Sequence, residues 1–199
     1  SRNEILTKVN FLKNERPDFA FVVFSGHGAY SRGTILEVNS KGDTIYESEI
    51  RGIASRQISI FDCCRNVDTT VREIRTFAKA ILQGDAVKNI RPFYDSRIMQ
   101  AIEQQTSLYA CSIGESSYDT NEGGIYTNCF LSSVSPDSQS QFKLLANAQD
   151  EARPKTTRKA FDIYSGKQVP DQCIPKCLSS QQLIISINPN LFGVQRIFS

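Results

Sequence analysis

The run from Asp18 to Phe24, Asp-Phe-Ala-Phe-Val-Val-Phe, constrains this chain most. It is almost continuously apolar and breaks abruptly into Ser25-Gly26-His27-Gly28. Apolarity without alternation predicts a parallel strand covered on both faces, running into a glycine-rich turn. The histidine in that turn is the only one in the chain.

A second run, Ile58-Ser-Ile-Phe-Asp-Cys-Cys-Arg65, reads as a short strand ending in a thiol. Successive strand side chains point to opposite faces. Ile58, Ile60, Asp62 and Cys64 therefore share one phase, and Ser59, Phe61 and Cys63 share the other.

The other segments fit around these two. Ile5, Val9 and Leu12 recur at helical spacing, and Pro17 closes that helix. Thr34–Val38 and Thr44–Tyr46 flank Asn39-Ser-Lys-Gly-Asp43, a hairpin signal. Glu47–Ser55 suits a short helix. Arg65–Gln105 is polar and mildly basic, with helical pattern in Val71–Leu82 and Arg97–Gln105, and reads as an insertion or linker. Ser107–Ser112 is a third strand, and Gly123-Gly124 opens a helix carrying Ile125, Cys129 and Phe130. Gln139–Glu151 has the pattern of an amphipathic helix halted by Pro154, and Leu183–Ile187 is the last strand. Strands alternating with helices predict an α/β sandwich around a mostly parallel sheet.

At 199 residues the chain can bury a substantial core as one domain. A net charge of +2 gives no sign of a nucleic-acid partner, and no interval approaches the roughly 18 apolar residues of a membrane span. A chain so well supplied with apolar strands does not need its six cysteines as a disulfide framework, which predicts free thiols in a reducing cytoplasm. Cys173 and Cys177 form only half of a zinc ligand set. No metal or other cofactor is expected, and a calcium requirement is left open.

Ligands of an open parallel sheet bind beyond the carboxyl ends of its strands, where His27 and Cys64 both fall. On neighbouring strands, imidazole and thiol would face one crevice. A thiol needs a base or a positive charge to become a strong nucleophile, and an imidazole serves and can then protonate a leaving amine. The backbone N–H groups of Gly28 and Cys64 would make an oxyanion hole. Either residue alone is more often structural than catalytic; together at two strand ends they point to catalysis. A phosphatase would need Arg six positions beyond its cysteine, where Thr69 or Thr70 stands, and the redox motif Cys-x-x-Cys is absent. Ser25 as nucleophile would need a second histidine, since His27 lies too close in sequence.

Phe-Ser-Gly-His-Gly followed by Phe-Asp-Cys-Cys-Arg-Asn resembles the caspase-like cysteine peptidases, most closely the paracaspase and metacaspase branch. The family's nucleophile follows Asp-x, which matches Cys64. Arg65-Asn66 after it is closer to paracaspases than the His-Ser-Gly of many metacaspases. Tyr109-Ala-Cys111, Tyr118-Asp119, Gly123-Gly-Ile-Tyr-Thr127 and Gln168-x-Pro170 are similar to the family's small-subunit region.

The resemblance implies a caspase-like three-layer sandwich. Residues 1–65 would be large-subunit-like, 66–106 an insertion and 107–199 small-subunit-like, with the first strands of the domain missing and an upstream segment completing the sheet. It implies a Cys64–His27 dyad and a pocket lined by Asp62 and Asp119 for the residue before the scissile bond. Two carboxylates in a narrow slot call for a cation, and Arg suits bidentate pairing better than Lys. Cleavage of proteins or peptides after Arg, with Lys second, is therefore expected. Alternatively, Asp62 pairs with Arg65 and Asp119 caps a turn. Self-cleavage at Arg72, Arg75, Lys79, Lys88 or Arg91 and a homodimer are further expectations, and a non-catalytic scaffold is the competing reading.

Overall fold

The computed structural model describes residues 1–67 and 90–191. Helix α1 (Arg2–Glu15) ends where Arg16 turns left-handed ahead of Pro17. Strand β1 (Phe19–Ser25) follows, then β2 (Gly28–Tyr30), β3 (Thr34–Glu37), β4 (Thr44–Tyr46), and β5 (Arg56–Asp62). Beyond residue 89 come α2 (Arg91–Gln100), β6 (Gln104–Tyr109), β7 (Asp119–Thr120), β8 (Gly123–Gly124) and α3 (Ile125–Leu131). Strand β9 (Phe142–Leu144), α4 (Leu145–Tyr164), β10 (Asp171–Cys173) and β11 (Ile184–Ile187) close the described chain. The central sheet has the order β1-β5-β6-β10. The first two pairings are parallel and the last is antiparallel. The expected α/β class and mostly parallel sheet are observed.

The alternation of β5 is visible in the packing. Ile58 and Ile60 join Leu108, Tyr126, Phe130, Ala148 and Ile184 on the α3–α4 side. Phe61 and Cys63 join Val9, Leu36 and Ile45 on the side of α1 and the β3–β4 hairpin. Burying each such large side chain contributes about 1.5–3 kcal/mol. β5 is therefore the pivot between two half-cores, and everything from Gln57 to Cys63 is buried.

Several expectations need correction. β1 is not covered on both faces. Phe21 is 48% and Val23 60% exposed, while Ala20, Val22 and Phe24 pack under α1. Among the described residues β1 pairs only with β5, and on its second face Phe19, at the start of the strand, meets Tyr94 of α2 with ring centroids 6.4 Å apart while Phe21 and Val23 stay exposed. The third strand starts at Gln104, so the helix expected over Arg97–Gln105 ends at Gln100 and begins earlier, at Arg91. Glu47–Ser55 yields only a single 3-10 turn, Glu47–Ile50. The helical pattern in Val71–Leu82 lies outside the described residues.

Pro154 does not stop α4, which runs twenty residues through it, and the helix starts at Leu145 because Phe142–Leu144 pairs with β11 instead. The reason is positional. Leu145, Ala148, Gln149, Ala152, Thr156 and Ala160 form one buried stripe spanning the proline. Pro154 and Asp150, whose carbonyl loses its partner, both lie on the exposed side. Tertiary burial outweighs the lost backbone bond.

Candidate active site

β1 and β5 stay in register from Phe19↔Arg56 to Ser25↔Asp62, so the chain leaves both strands at one end of the sheet. The Gly26 N–H donates to the Asp62 carbonyl at 3.1 Å, and the Tyr30 N–H to the Asn66 carbonyl at 2.9 Å. The turn after β1 thus lies alongside the segment after β5. Gly28 shows how tightly: a Cβ there would stand 2.7 Å from Cys63 Sγ and 2.8 Å from the Cys64 carbonyl oxygen. Glycine is required at 28 by this approach of two backbones. The half-buried His27 precedes it and lines a cavity of about 760 Å³ beneath α1, with Val9, Val22, Phe24 and Leu36.

Three thiols cluster at this end. Cys63 is buried in the α1-side core, as its strand phase requires. Cys111, just after β6, is buried with its Sγ 3.3 Å from the Cys63 carbonyl and 3.2 Å from that of Glu115. Burial first, then the nearby Cys64, pushes the Cys111 thiol up to about 12. Cys64 alone of the three is partly exposed. Its Sγ receives the Ser117 N–H at 3.4 Å and lies 3.7 Å from the Ser117 carbonyl.

Asp62 is 1% exposed, and its carboxylate points to the α3 side. Oδ1 accepts the Ser117 hydroxyl at 2.7 Å. Oδ2 accepts the Thr127 hydroxyl at 2.5 Å and the Thr127 N–H at 3.3 Å. Thr127 lies in the first turn of α3, so the acid sits on the positive end of that helix. The two glycines before α3 have separate causes. Gly123 has φ +106°, and a Cβ on Gly124 would lie 2.2 Å from Asp62 Oδ2 and 3.4 Å from Asp119 Oδ1. Both carboxylates therefore converge on Gly124, with Asp119 brought there by its pairing opposite Gly124 in the β7–β8 hairpin.

Arg65 does not pair with Asp62. Its guanidinium stacks 4.0 Å over the Tyr109 ring and lies 5.5 Å from that of Tyr30, and Nη1 contacts Asp171 Oδ2 and the Cys111 carbonyl, each at 3.3 Å. It ties the segment after Cys64 to β2, β6 and β10.

Sequence reasoning overlooked Ser117, Thr127 and Gln168 as parts of the site. Thr127 and Gln168 sit inside motifs it singled out; nothing in the local pattern marks the Ser117 hydroxyl. Among the described residues no group of three His, Cys, Asp or Glu side chains could hold a metal ion. Cys173 and Cys177 are free thiols. No helix among the described residues is long and apolar enough to cross a membrane.

The parallel-centred α/β sheet thus carries a partly exposed thiol and a histidine turn at one end. The caspase domain family model matches residues 1–177, and the chain belongs to that family of cysteine peptidases. Among solved structures it is similar to caspase-1 from Spodoptera frugiperda, with a TM-score of 0.54 and 10% identity over 86% of this chain and 67% of the other. It is also similar to the protein GSU0716 from Geobacter sulfurreducens, with a TM-score of 0.52 and 13% identity over 92% and 76% of the two chains. No curated protein sequence matches it.

Proposed function

We propose that this protein is a cysteine endopeptidase with Cys64 as nucleophile and His27 as its general base, cleaving after Arg in preference to Lys. The observation that carries this reading is Cys64: it is the one partly exposed thiol of three at the carboxyl end of the sheet, beside the Gly28 turn. In the first step Cys64 Sγ attacks the scissile carbonyl and His27 takes the thiol proton. His27 then gives that proton to the departing amine, leaving a thioester. A water attacks the thioester, its proton passing through His27 back to the thiol as the acid product leaves. The N–H groups of Gly28 and Cys64 receive the developing oxyanion. The buried Asp62 and Asp119 beside it receive the basic side chain. Asp62, two residues before Cys64, is the feature that favours the paracaspase branch in this reading.

Fluorogenic peptides ending in Arg, Lys or Asp test this, with wild type compared against Cys64→Ala and His27→Ala. Turnover is expected in the order Arg, Lys, Asp and is expected to vanish in both variants. Faster cleavage of the Asp peptide, or retained activity in Cys64→Ala, overturns the proposal.

The scaffold reading has one observation in its favour: the Ser117 backbone rests on Cys64 Sγ. In the peptidase reading, substrate displaces that contact. A peptide chloromethylketone separates the two: rapid labelling at Cys64 favours the enzyme, and an inert thiol the scaffold.

The reading extends to three further points. Self-processing would fall within 68–89, outside the described residues; Arg91 is a poorer site, since it opens α2 and is ion-paired with Asp95 at 2.7 Å. Wild type and Cys64→Ala of identical intact mass after incubation would remove it. An upstream strand would complete the sheet along the edge of β1 opposite β5, beside the face on which Phe21 and Val23 are exposed. Six free cysteines fit a cytoplasmic protein.

A further inference from the structure

The loop from Glu115 to Asp119 touches both halves of the site: Ser117 contacts Cys64 and Asp62, and Asp119 faces Gly124. Nearly all of it is held from behind by one short segment, Tyr164–Val169, at the end of α4. The Tyr164 hydroxyl donates to the Asp119 carbonyl, and its ring stacks on Tyr118 at 5.1 Å and 15°. Gly166 abuts that same ring, since a Cβ there would stand 2.4 Å from Tyr118 Cζ and Oη. Lys167 Nζ pairs with Glu115 Oε1 at 3.1 Å, and the Val169 N–H donates to Glu115 Oε2 at 2.7 Å.

Gln168 is the centre of this arrangement. Fully buried, it accepts the Tyr118 N–H at 3.1 Å and donates through Nε2 to the Ala110 carbonyl at 3.0 Å and Ser117 Oγ at 3.2 Å. Ser117 Oγ in turn donates to Asp62 Oδ1. A relay thus runs from the turn through Ser117 to the pocket acid, while the same residue's backbone meets the thiol.

We infer that Tyr164, Gly166 and Gln168 are positioning residues: the turn after α4 is a template that fixes the Ser117–Asp119 loop, and so the distance between the thiol and the paired acids. The inference rests on the peptidase reading for its kinetic consequence, though not for its structural one. A template of this kind acts on the binding of the basic side chain more than on the reactivity of the sulfur. Tyr164 is exposed, so Tyr164→Phe removes one hydrogen bond to Asp119 without endangering the fold.

Three measurements on Tyr164→Phe, Gly166→Ala and Gln168→Ala test it: kinetics on Arg and Lys peptides, iodoacetamide alkylation of Cys64, and hydrogen exchange over residues 112–122. Tyr164→Phe is expected to raise KM for the Arg peptide about 3- to 10-fold, the equivalent of one hydrogen bond, with kcat and alkylation within about twofold of wild type. Gly166→Ala and Gln168→Ala are expected to speed exchange at Ser117 and Tyr118 about tenfold or more, because each frees the amide or ring that anchors them. Unchanged KM in Tyr164→Phe together with unchanged exchange in the other two overturns the inference. A wild type inert toward both peptides, with exchange altered as expected, removes the peptidase reading and leaves the template standing.

Discussion

Asp62→Asn separates the role that the structure gives to this carboxylate from the one proposed for it. The acid anchors the first turn of α3 through Thr127 and also closes the bottom of the proposed pocket. The substitution keeps the shape and removes the charge. Three hydrogen bonds change from charge-assisted to neutral at best, a loss of about 1 kcal/mol each. The amide nitrogen must also face Ser117, whose oxygen already accepts from Gln168, so the hydroxyl proton loses its acceptor. A stability loss of about 3 kcal/mol follows, lowering Tm by roughly 6–12 °C for a domain of this size. The effect on catalysis is separable. Removing the partner of a buried guanidinium costs about 2–5 kcal/mol, or roughly 30-fold to several-thousand-fold in kcat/KM. A citrulline peptide, neutral and nearly isosteric, does not present that charge. The quantity to measure is the Arg-to-citrulline ratio of kcat/KM below the unfolding range, which cancels any difference in folded fraction. The ratio is expected to collapse by at least about 30-fold. A ratio within about threefold of wild type, alongside the expected fall in Tm, would make Asp62 a helix anchor only and refute its pocket role.

Gly28→Ala drives a methyl into Cys63 Sγ and the Cys64 carbonyl; kcat/KM is expected to fall about 100-fold or more, and a near-normal rate would show that the two turns have room to part. The Cys111 thiol, raised from 9.0 to about 12 by burial, remains protonated in the fold at a pH where the unfolded chain has lost its proton. Its contribution is fully present below pH 9 and is lost as pH rises toward 12, so chemical denaturation should show stability declining across that window, by at most about 4 kcal/mol from this group, and less so in Cys111→Ala. Pro154→Ala restores the backbone bond to Asp150 on the exposed side of α4 and is expected to raise Tm by several degrees; an unchanged or lowered Tm would mean that the proline ring packs productively in the groove it lines with Phe161 and Val169.

The central strands were legible because their side chains report their environment directly. Ile58, Ile60, Phe61 and Cys63 fall on the faces that their phase assigns, and the glycine turn marks where β1 ends. Phe21 and Val23 misled, because composition tells what a strand is fit to be buried by and not whether that partner is among the described residues. Pro154 misled because a local rule ignores which side of the helix faces solvent. The thiol and the acids were legible as residue types in a motif. The residues that orient them were not, since Ser117 is 53 positions from Cys64 and Gln168 lies 51 from Ser117, contacts that only the folded chain creates.

The same long-range contacts decide what a cut within residues 68–89 would do. β5 and β6 flank that stretch and pair in parallel from Arg56↔Gln104 to Phe61↔Tyr109, continued by the Ala110 N–H on the Phe61 carbonyl at 2.9 Å. Beyond the ladder, Arg65 exchanges backbone bonds with Gly114 and Glu115, Asp62 holds Ser117 and Thr127, and Arg65 reaches Asp171. All of these cross the cut, and all surround Cys64. The interface between the pieces is the middle of the sheet, where burial is greatest, so the pieces have no stable separate existence. Cleaved protein should therefore elute as one species in native size exclusion while showing two fragments in denaturing gels, with Cys64 still alkylated at the rate of the intact chain. Fragments that separate under native conditions would show that the β5–β6 seam is weaker than its burial implies.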